Sequence, residues 1–369
     1  MKIGIITLSA SFNCGSMLQS YALKRILEKY GEVEIINFSS EASHRMYDIV
    51  PRSLVEKIYI LRARRKLLKE LKIEAEAYNK FQREMLGISG KEYFAEDLAE
   101  VSSKYDVIVA GSDQIWNVCM GDFDEAFFCG WTNSKKVAYA PSLGGHDIKE
   151  SLNEKQIIEW IKRFDFLSVR EEFGKKCLEN ILKRDVVKVL DPTLVFGNEK
   201  WKTMVDAPFI KGDYIFYYSW AYCDEELRKI ISQRSEKTSM PVYVIDAHKW
   251  RICNYADDGF ILCSKAGPMA FLNLMYYAKE CYVESFHGML FAYMFKKNFW
   301  LLDSHEKYEQ IDSRLREVIE LVGARERILT KYNKDYINMG KSIDYHDNLR
   351  LAELCQVSQN YIEGALLSK

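Results

Sequence analysis

Lys2-Ile3-Gly4-Ile5-Ile6-Thr7-Leu8 opens the chain and Asn13-Cys14-Gly15-Ser16 follows it. The first run is short, apolar and bounded by polar residues, the pattern of a strand buried on both faces. It stops at Ser9, too soon for the core of a secretory leader. Over 16–30 the apolar residues Leu18, Tyr21, Ala22, Ile26 and Leu27 recur at helical spacing, Gly31 ends the run, and 33–38 returns as a strand. Strand, helix and strand in that order make a βαβ unit, which implies a parallel sheet with crossover helices.

The alternation continues outward from that unit. Strands are predicted over 105–110, 136–140, 166–170 and 186–190, with a helix over 171–182. After Asp191-Pro192-Thr193 the pattern restarts, with strands over 214–219, 242–246, 280–283 and 299–302. Helices are predicted over 224–235 and 267–278, the second opened by Gly267-Pro268, where the missing proline N–H costs nothing. The expected fold class is α/β, two Rossmann-like domains with a cleft between the carboxyl edges of their sheets, the place where open α/β sheets bind ligands. The predicted boundaries are 1–195 for the first domain and 196–345 for the second. A tail helix over 346–369 packs back on the first. A helical insertion over 53–86 belongs to the first domain in this reading. Its basic residues Arg62, Arg64, Arg65, Lys66, Lys69 and Lys72 suit an anionic membrane surface, but Glu70, Glu74 and Glu76 balance them, as on a solvated helical face.

Composition narrows the function classes. The 369 residues suit about two domains. The 52 Lys and Arg against 53 Asp and Glu give a formal charge of -1, so nucleic acid is not an expected partner. Nine cysteines, scattered and without a C-x-x-C pair, point to a reduced cytoplasmic protein. No stretch approaches the ~20 apolar residues of a membrane span. The six histidines show no ligand spacing, so no metal is expected.

Polar residues gather where predicted strands end. Asn13 and Ser16 are ordinary N-cap residues, and the N–H groups they would cap also suit an anion or a sugar hydroxyl. With Gly15 and Gln114 they are the candidates for holding a sugar. Cys14 has no histidine near it in sequence to make it a nucleophile. Asp113, in Gly111-Ser112-Asp113-Gln114, reads as a general base or as a turn-former, and Trp116 as core. Arg170 ends a buried strand and needs an anionic partner, either a bound phosphate or carboxylate or the neighbouring Glu171 or Asp191. Asp191, before Pro192, reads as a turn residue, with a base role second.

Glu284-Ser285-Phe286-His287-Gly288 falls between strand 280–283 and a helix expected from about Met289. A helix N-terminus offers backbone donors and a positive dipole end to an anion, and His287 adds an exchangeable proton. The plain alternative is a histidine that caps the helix or sits satisfied in a core.

Taken in order, Lys2-Ile3-Gly4-Ile5, Asn13-Cys14-Gly15-Ser16 with Leu18-Gln19, Gly111-Ser112-Asp113-Gln114-Ile115-Trp116-Asn117, Ser168-Val169-Arg170-Glu171, Leu190-Asp191-Pro192-Thr193 and Ser285-Phe286-His287-Gly288 resemble the polysaccharide pyruvyl transferase family. The resemblance implies a GT-B-like arrangement and transfer of pyruvate from phosphoenolpyruvate, as a ketal, to hydroxyls of a sugar or glycan that can be lipid-linked. It implies no cofactor. It maps the family histidine onto His287 and the strand-end arginine onto Arg170. Family members carry an arginine two residues before the histidine, where this chain has Ser285; Lys265 and Arg251 are the replacement cations considered.

On that resemblance, Arg170 and the N–H groups around Ser285 and Gly288 bind the donor, with Lys265 beside them, and His287 is the acid. Asp113 accepts the hydroxyl protons, with Glu284 and Asp191 as further bases. The implied location is cytoplasmic, with peripheral contact at the inner face of the membrane left open. Two rival readings stand beside it. One is a GT-B glycosyltransferase using a nucleotide-sugar, which would place its diphosphate at the same helix N-terminus; the other is a non-catalytic sugar-binding protein of the same pathway.

Overall fold

A computed structural model of the chain describes residues 1–47, 68–219, 224–332, 343–346 and 348–368. Arg62, Arg64, Arg65 and Lys66 of the basic insertion lie outside the described residues, as does the side chain of Arg251.

Among the described residues there are two sheets, and every ladder in them is parallel. The first holds β1 (Lys2–Ile6), β2 (Glu32–Ile35), β3 (Val107–Ala110), β4 (Lys135–Ala138), β5 (Phe166–Val169) and β6 (Val187–Lys188), in the order β2-β1-β3-β4-β5-β6. The second holds β7 (Ile215–Tyr218), β8 (Val242–Val244), β9 (Ile261–Leu262), β10 (Glu280–Val283), β11 (Asn298–Asp303) and β12 (Ile328–Thr330), in the order β12-β11-β10-β7-β8-β9. Strand composition explains the parallel pairing: Val107-Ile108-Val109-Ala110 is buried at every position, as a strand covered by helices on both faces must be. Each order reverses direction once, between β1 and β3 in the first sheet and between β7 and β10 in the second. Such a reversal splays the two flanking loops apart and leaves a crevice at the carboxyl ends of the strands.

The chain divides into two compact units. One comprises Met1–Asp48, Asn79–Phe196 and Leu349–Lys369; the other comprises Ile49–Tyr78 and Gly197–Asn348. In the first, Trp116 is fully buried, with Phe128 stacked on it at 5.4 Å and Phe164 edge-on at 5.5 Å. The tail helix Leu349–Leu367 belongs to this unit. Its Ser358 Oγ accepts the Leu190 N–H at 2.8 Å, and Tyr361 Oη donates to the Ala138 carbonyl at 2.8 Å. In the second, Tyr217, Tyr282 and Trp300 build the core with Ile230, Ile231 and Val244.

The helix Leu68–Phe81 corrects the sequence-based boundary. The insertion was placed in the first domain, yet residues 68–78 group with the second unit. Leu71 is buried against Ala247, Trp250 and Leu262, and Glu74 accepts the Ala247 N–H at 3.3 Å. Burial of that apolar stripe, not continuity along the chain, decides where residues 68–78 belong. Strands β9 and β12, two and three residues long, and the helices Glu154–Lys162 and Ser313–Leu321 were not anticipated. The short strands present no run to read, and each of these helices buries only two residues fully among its charges.

Candidate functional site

In the second unit, Val283 of β10 pairs with Tyr218 of β7, and the Glu284 N–H donates to the Tyr218 carbonyl at 3.1 Å. This register sets Glu284 beside the residues that end β7. Tyr217 Oη donates to Glu284 Oε1 and Ser219 Oγ to Oε2, both at 2.6 Å. Lys249 Nζ donates to the Ser219 carbonyl at 2.6 Å. The carboxylate therefore fixes two adjacent strand ends.

The next helix is Phe286–Met294, three residues earlier than the expected start at Met289. Ser285 is its N-cap, and Ser285 Oγ accepts the Gly288 N–H at 3.0 Å. Capping satisfies one of the donors a helix start leaves unpaired and so fixes the start. His287 consequently sits in the first turn of the helix and is buried. The Gly288 N–H is bonded to Ser285, and a Cβ on Gly288 would lie 2.7 Å from Ser285 Oγ and 3.1 Å from Tyr218. Glycine lets the helix close on β7 and on its own cap. Lys265 is exposed. Among the described residues Lys249 brings a cation to this turn, reaching back by its side chain from beyond β8, a neighbourhood that spacing along the sequence does not signal.

Burial raises the pKa of Glu284 above the ordinary carboxylate range, opposed by the Ser219 and Tyr217 hydroxyls and by Lys249. A carboxyl whose folded pKa exceeds its unfolded value holds its proton more tightly in the folded protein. Stability from this group is greatest at low pH and declines as pH rises from the ordinary value through the raised one. Glu284→Gln is expected to flatten that decline in thermal melts across the mildly acidic range. A variant whose midpoint still falls as steeply as the parent's would clear Glu284 of the effect.

In the first unit the loops after β1 and β3 are tied together. Thr7 Oγ1 donates to the Ser112 carbonyl at 3.1 Å, while Gln19 donates to Thr7 Oγ1 at 2.9 Å and accepts the Ser112 N–H at 3.2 Å. Gly111 has φ +133°, and a Cβ there would meet the Tyr139 carbonyl oxygen at 1.9 Å, so only glycine fits. Asp113 follows in the left-handed region at φ 74°. Its Oδ2 accepts from Ser16 Oγ at 2.6 Å and its Oδ1 from the Gln114 N–H at 2.9 Å. Asn13 caps the helix Cys14–Leu27, accepting from the N–H groups of Gly15 at 2.8 Å and Ser16 at 3.3 Å. Gln114 Oε1 accepts from Asn117 at 3.0 Å. The structure thus joins Asn13, Gly15, Ser16, Asp113 and Gln114 at the crevice of the first sheet.

Arg170 stands close by in the same unit, buried, with Nε on Glu171 Oε1 at 2.9 Å and Nη1 on Asp191 Oδ2 at 2.8 Å. Burial opposes its charge, but Glu171, Asp191 and Asp113 together raise its pKa. The guanidinium has two carboxylates through Nε and Nη1, the structural alternative read from the sequence. Asp191 is likewise engaged. Its Oδ1 accepts from the Thr193 N–H at 2.9 Å and Oγ1 at 2.7 Å.

Among the described residues no helix is long and apolar enough to cross a membrane. No curated protein sequence matches the chain. The fold is similar to that of UDP-GlcNAc 2-epimerase from Methanocaldococcus jannaschii, solved with UDP-GlcNAc and UDP, at 17% identity and a TM-score of 0.51, over 94% of this chain and 95% of that one. S. aureus MnaA, solved with UDP, gives 13% identity and a TM-score of 0.51, over 98% and 96% of the two chains. The UDP-GlcNAc 2-epimerase from Neisseria meningitidis gives 10% identity and 0.50, over 98% and 99%. At these identities the likeness is one of fold, and it agrees with the GT-B-like class implied by the family resemblance. The polysaccharide pyruvyl transferase model matches residues 13–306, which include every motif described above except the first strand, and the chain belongs to that family.

Proposed function

We propose that the protein transfers pyruvate from phosphoenolpyruvate to two hydroxyls of one sugar in a surface polysaccharide or its lipid-linked precursor, forming a ketal. The family match over residues 13–306 carries this reading. His287, in the first turn of a helix at the carboxyl edge of β10, supports it as the acid, since that end of a helix attracts the donor's phosphate or carboxylate. His287 gives a proton to the vinyl carbon, and a sugar hydroxyl attacks the oxocarbenium-like centre that results. A second hydroxyl closes the ketal as phosphate leaves. One hydroxyl proton replaces the one His287 delivered and the other departs with phosphate. Asp113 is the proposed acceptor of hydroxyl protons, with Asn13, Ser16 and Gln114 as sugar-binding groups. Lys249 is the cation offered to the donor in place of the arginine that Ser285 replaces. The reaction needs no cofactor, and its donor is a cytoplasmic metabolite, so the proposed location is the cytoplasm.

The serine at 285 also favours a second reading, in which a nucleotide-sugar is the donor. A thermal-shift panel separates the two. Phosphoenolpyruvate at a hundred times its dissociation constant is expected to stabilise the protein by ~2.7 kcal/mol, with UDP-sugars giving no shift. The reverse pattern would replace the donor, and a shift with neither would favour a sugar-binding protein.

A further inference from the structure

Cys119 and His146 lie in the loops that follow the neighbouring strands β3 and β4, and their side chains meet Glu150 on the surface of the first unit. Cys119 Sγ is 3.3 Å from Glu150 Oε2, His146 Nδ1 is 3.1 Å from the same oxygen, and the three ligand atoms all lie within 4.8 Å of one another. A zinc ion with sulfur at ~2.3 Å and nitrogen and oxygen at ~2.0–2.1 Å sets tetrahedral ligands roughly 3.3–3.6 Å apart. The two separations to Glu150 Oε2 are already close to that spacing, and the thiol and imidazole need to close from no more than 4.8 Å.

The surroundings hold the ligands in place. Glu150 Oε1 accepts the Asp147 N–H at 2.8 Å in a capping box, so one carboxylate oxygen is anchored while the other faces the thiol and the imidazole. The Cys119 N–H donates to Asn117 Oδ1 at 3.1 Å, which fixes the loop carrying the thiol. Groups of this kind, one bond behind the ligands, orient metal sites. The side chains of His146 and Glu150 are 43% and 47% exposed, leaving the fourth position to water.

We propose that Cys119, His146 and Glu150 bind a divalent, borderline-soft metal ion of the zinc class, with water as the fourth ligand. One sulfur, one nitrogen and one oxygen donor suit such an ion and not calcium or magnesium, which take oxygen ligands. Binding replaces the thiol proton of Cys119 with a metal–sulfur bond and releases that proton to solvent. None of the three residues has a role in the pyruvyl transfer proposed above, so the two proposals stand or fall separately.

The test uses the full chain, stripped of metal with a chelator and titrated with cobalt(II) and then zinc. One equivalent of cobalt is expected, with a thiolate-to-cobalt charge-transfer band that zinc bleaches. Cys119→Ser should abolish the band. His146→Ala and Glu150→Gln should each weaken binding at least about tenfold, by analogy with the 10–100-fold loss on removing even an outer-shell partner. The glutamine keeps an acceptor for the Asp147 N–H, so its effect is not one of misfolding. Cys355→Ser should change nothing. A protein without the band, or a band that survives Cys119→Ser, would overturn the proposal.

Discussion

His287→Ala is expected to lower turnover by about 10²–10⁴-fold, the usual contribution of a positioned proton donor, in a phosphate-release assay with phosphoenolpyruvate and a glycan acceptor. The size follows from the place of the side chain. It is buried in the first turn of the helix Phe286–Met294, where water is a poor substitute for a held imidazole. The Ser285 cap, made through the Gly288 N–H, does not involve the imidazole, so the helix start should survive. His287→Gln keeps most of the volume and guards against a packing artefact. If both variants retained most of the parent's turnover, the acid would have to be sought elsewhere.

The largest stability effect is expected at Arg170. Removing its guanidinium leaves Glu171 and Asp191 buried without their cation, and breaking a buried pair in this way costs about 3–5 kcal/mol. Arg170→Ala should therefore lower the unfolding transition of the first unit in urea. The neutral combination Arg170→Met, Glu171→Gln, Asp191→Asn should recover much of the loss, because no uncompensated charge remains. A variant that unfolds at the parental midpoint but no longer shifts with phosphoenolpyruvate would return Arg170 to the donor-binding role expected from the family motif.

Arg170 also shows how far the sequence carries. That an arginine ending a buried strand must find an anion is a matter of charge and desolvation, readable from Ser168-Val169-Arg170-Glu171 alone. Which anion it finds depends on Asp191, brought alongside by the pairing of β5 with β6. Glu284 and Ser285 repeat the lesson. Their residue types marked a polar turn, but only the pairing of β10 with β7 showed that Glu284 receives Tyr217 and Ser219. Ser285, a natural N-cap type, moved the helix start forward to Phe286.

The alternation of apolar runs and helical periodicity determined the α/β class and most of the strands, with β10 at its observed bounds of 280–283 and the tail helix 349–367 inside the expected 346–369. Those signals are local, since burial on both faces of a parallel strand leaves its mark within a few consecutive residues. Strand order, the neighbours of Lys249, the unit to which the helix Leu68–Phe81 belongs, and the meeting of Cys119 with His146 were decided only in three dimensions. Each depends on which distant segments the sheets bring within a hydrogen bond's reach, and residue spacing along a chain does not encode that distance.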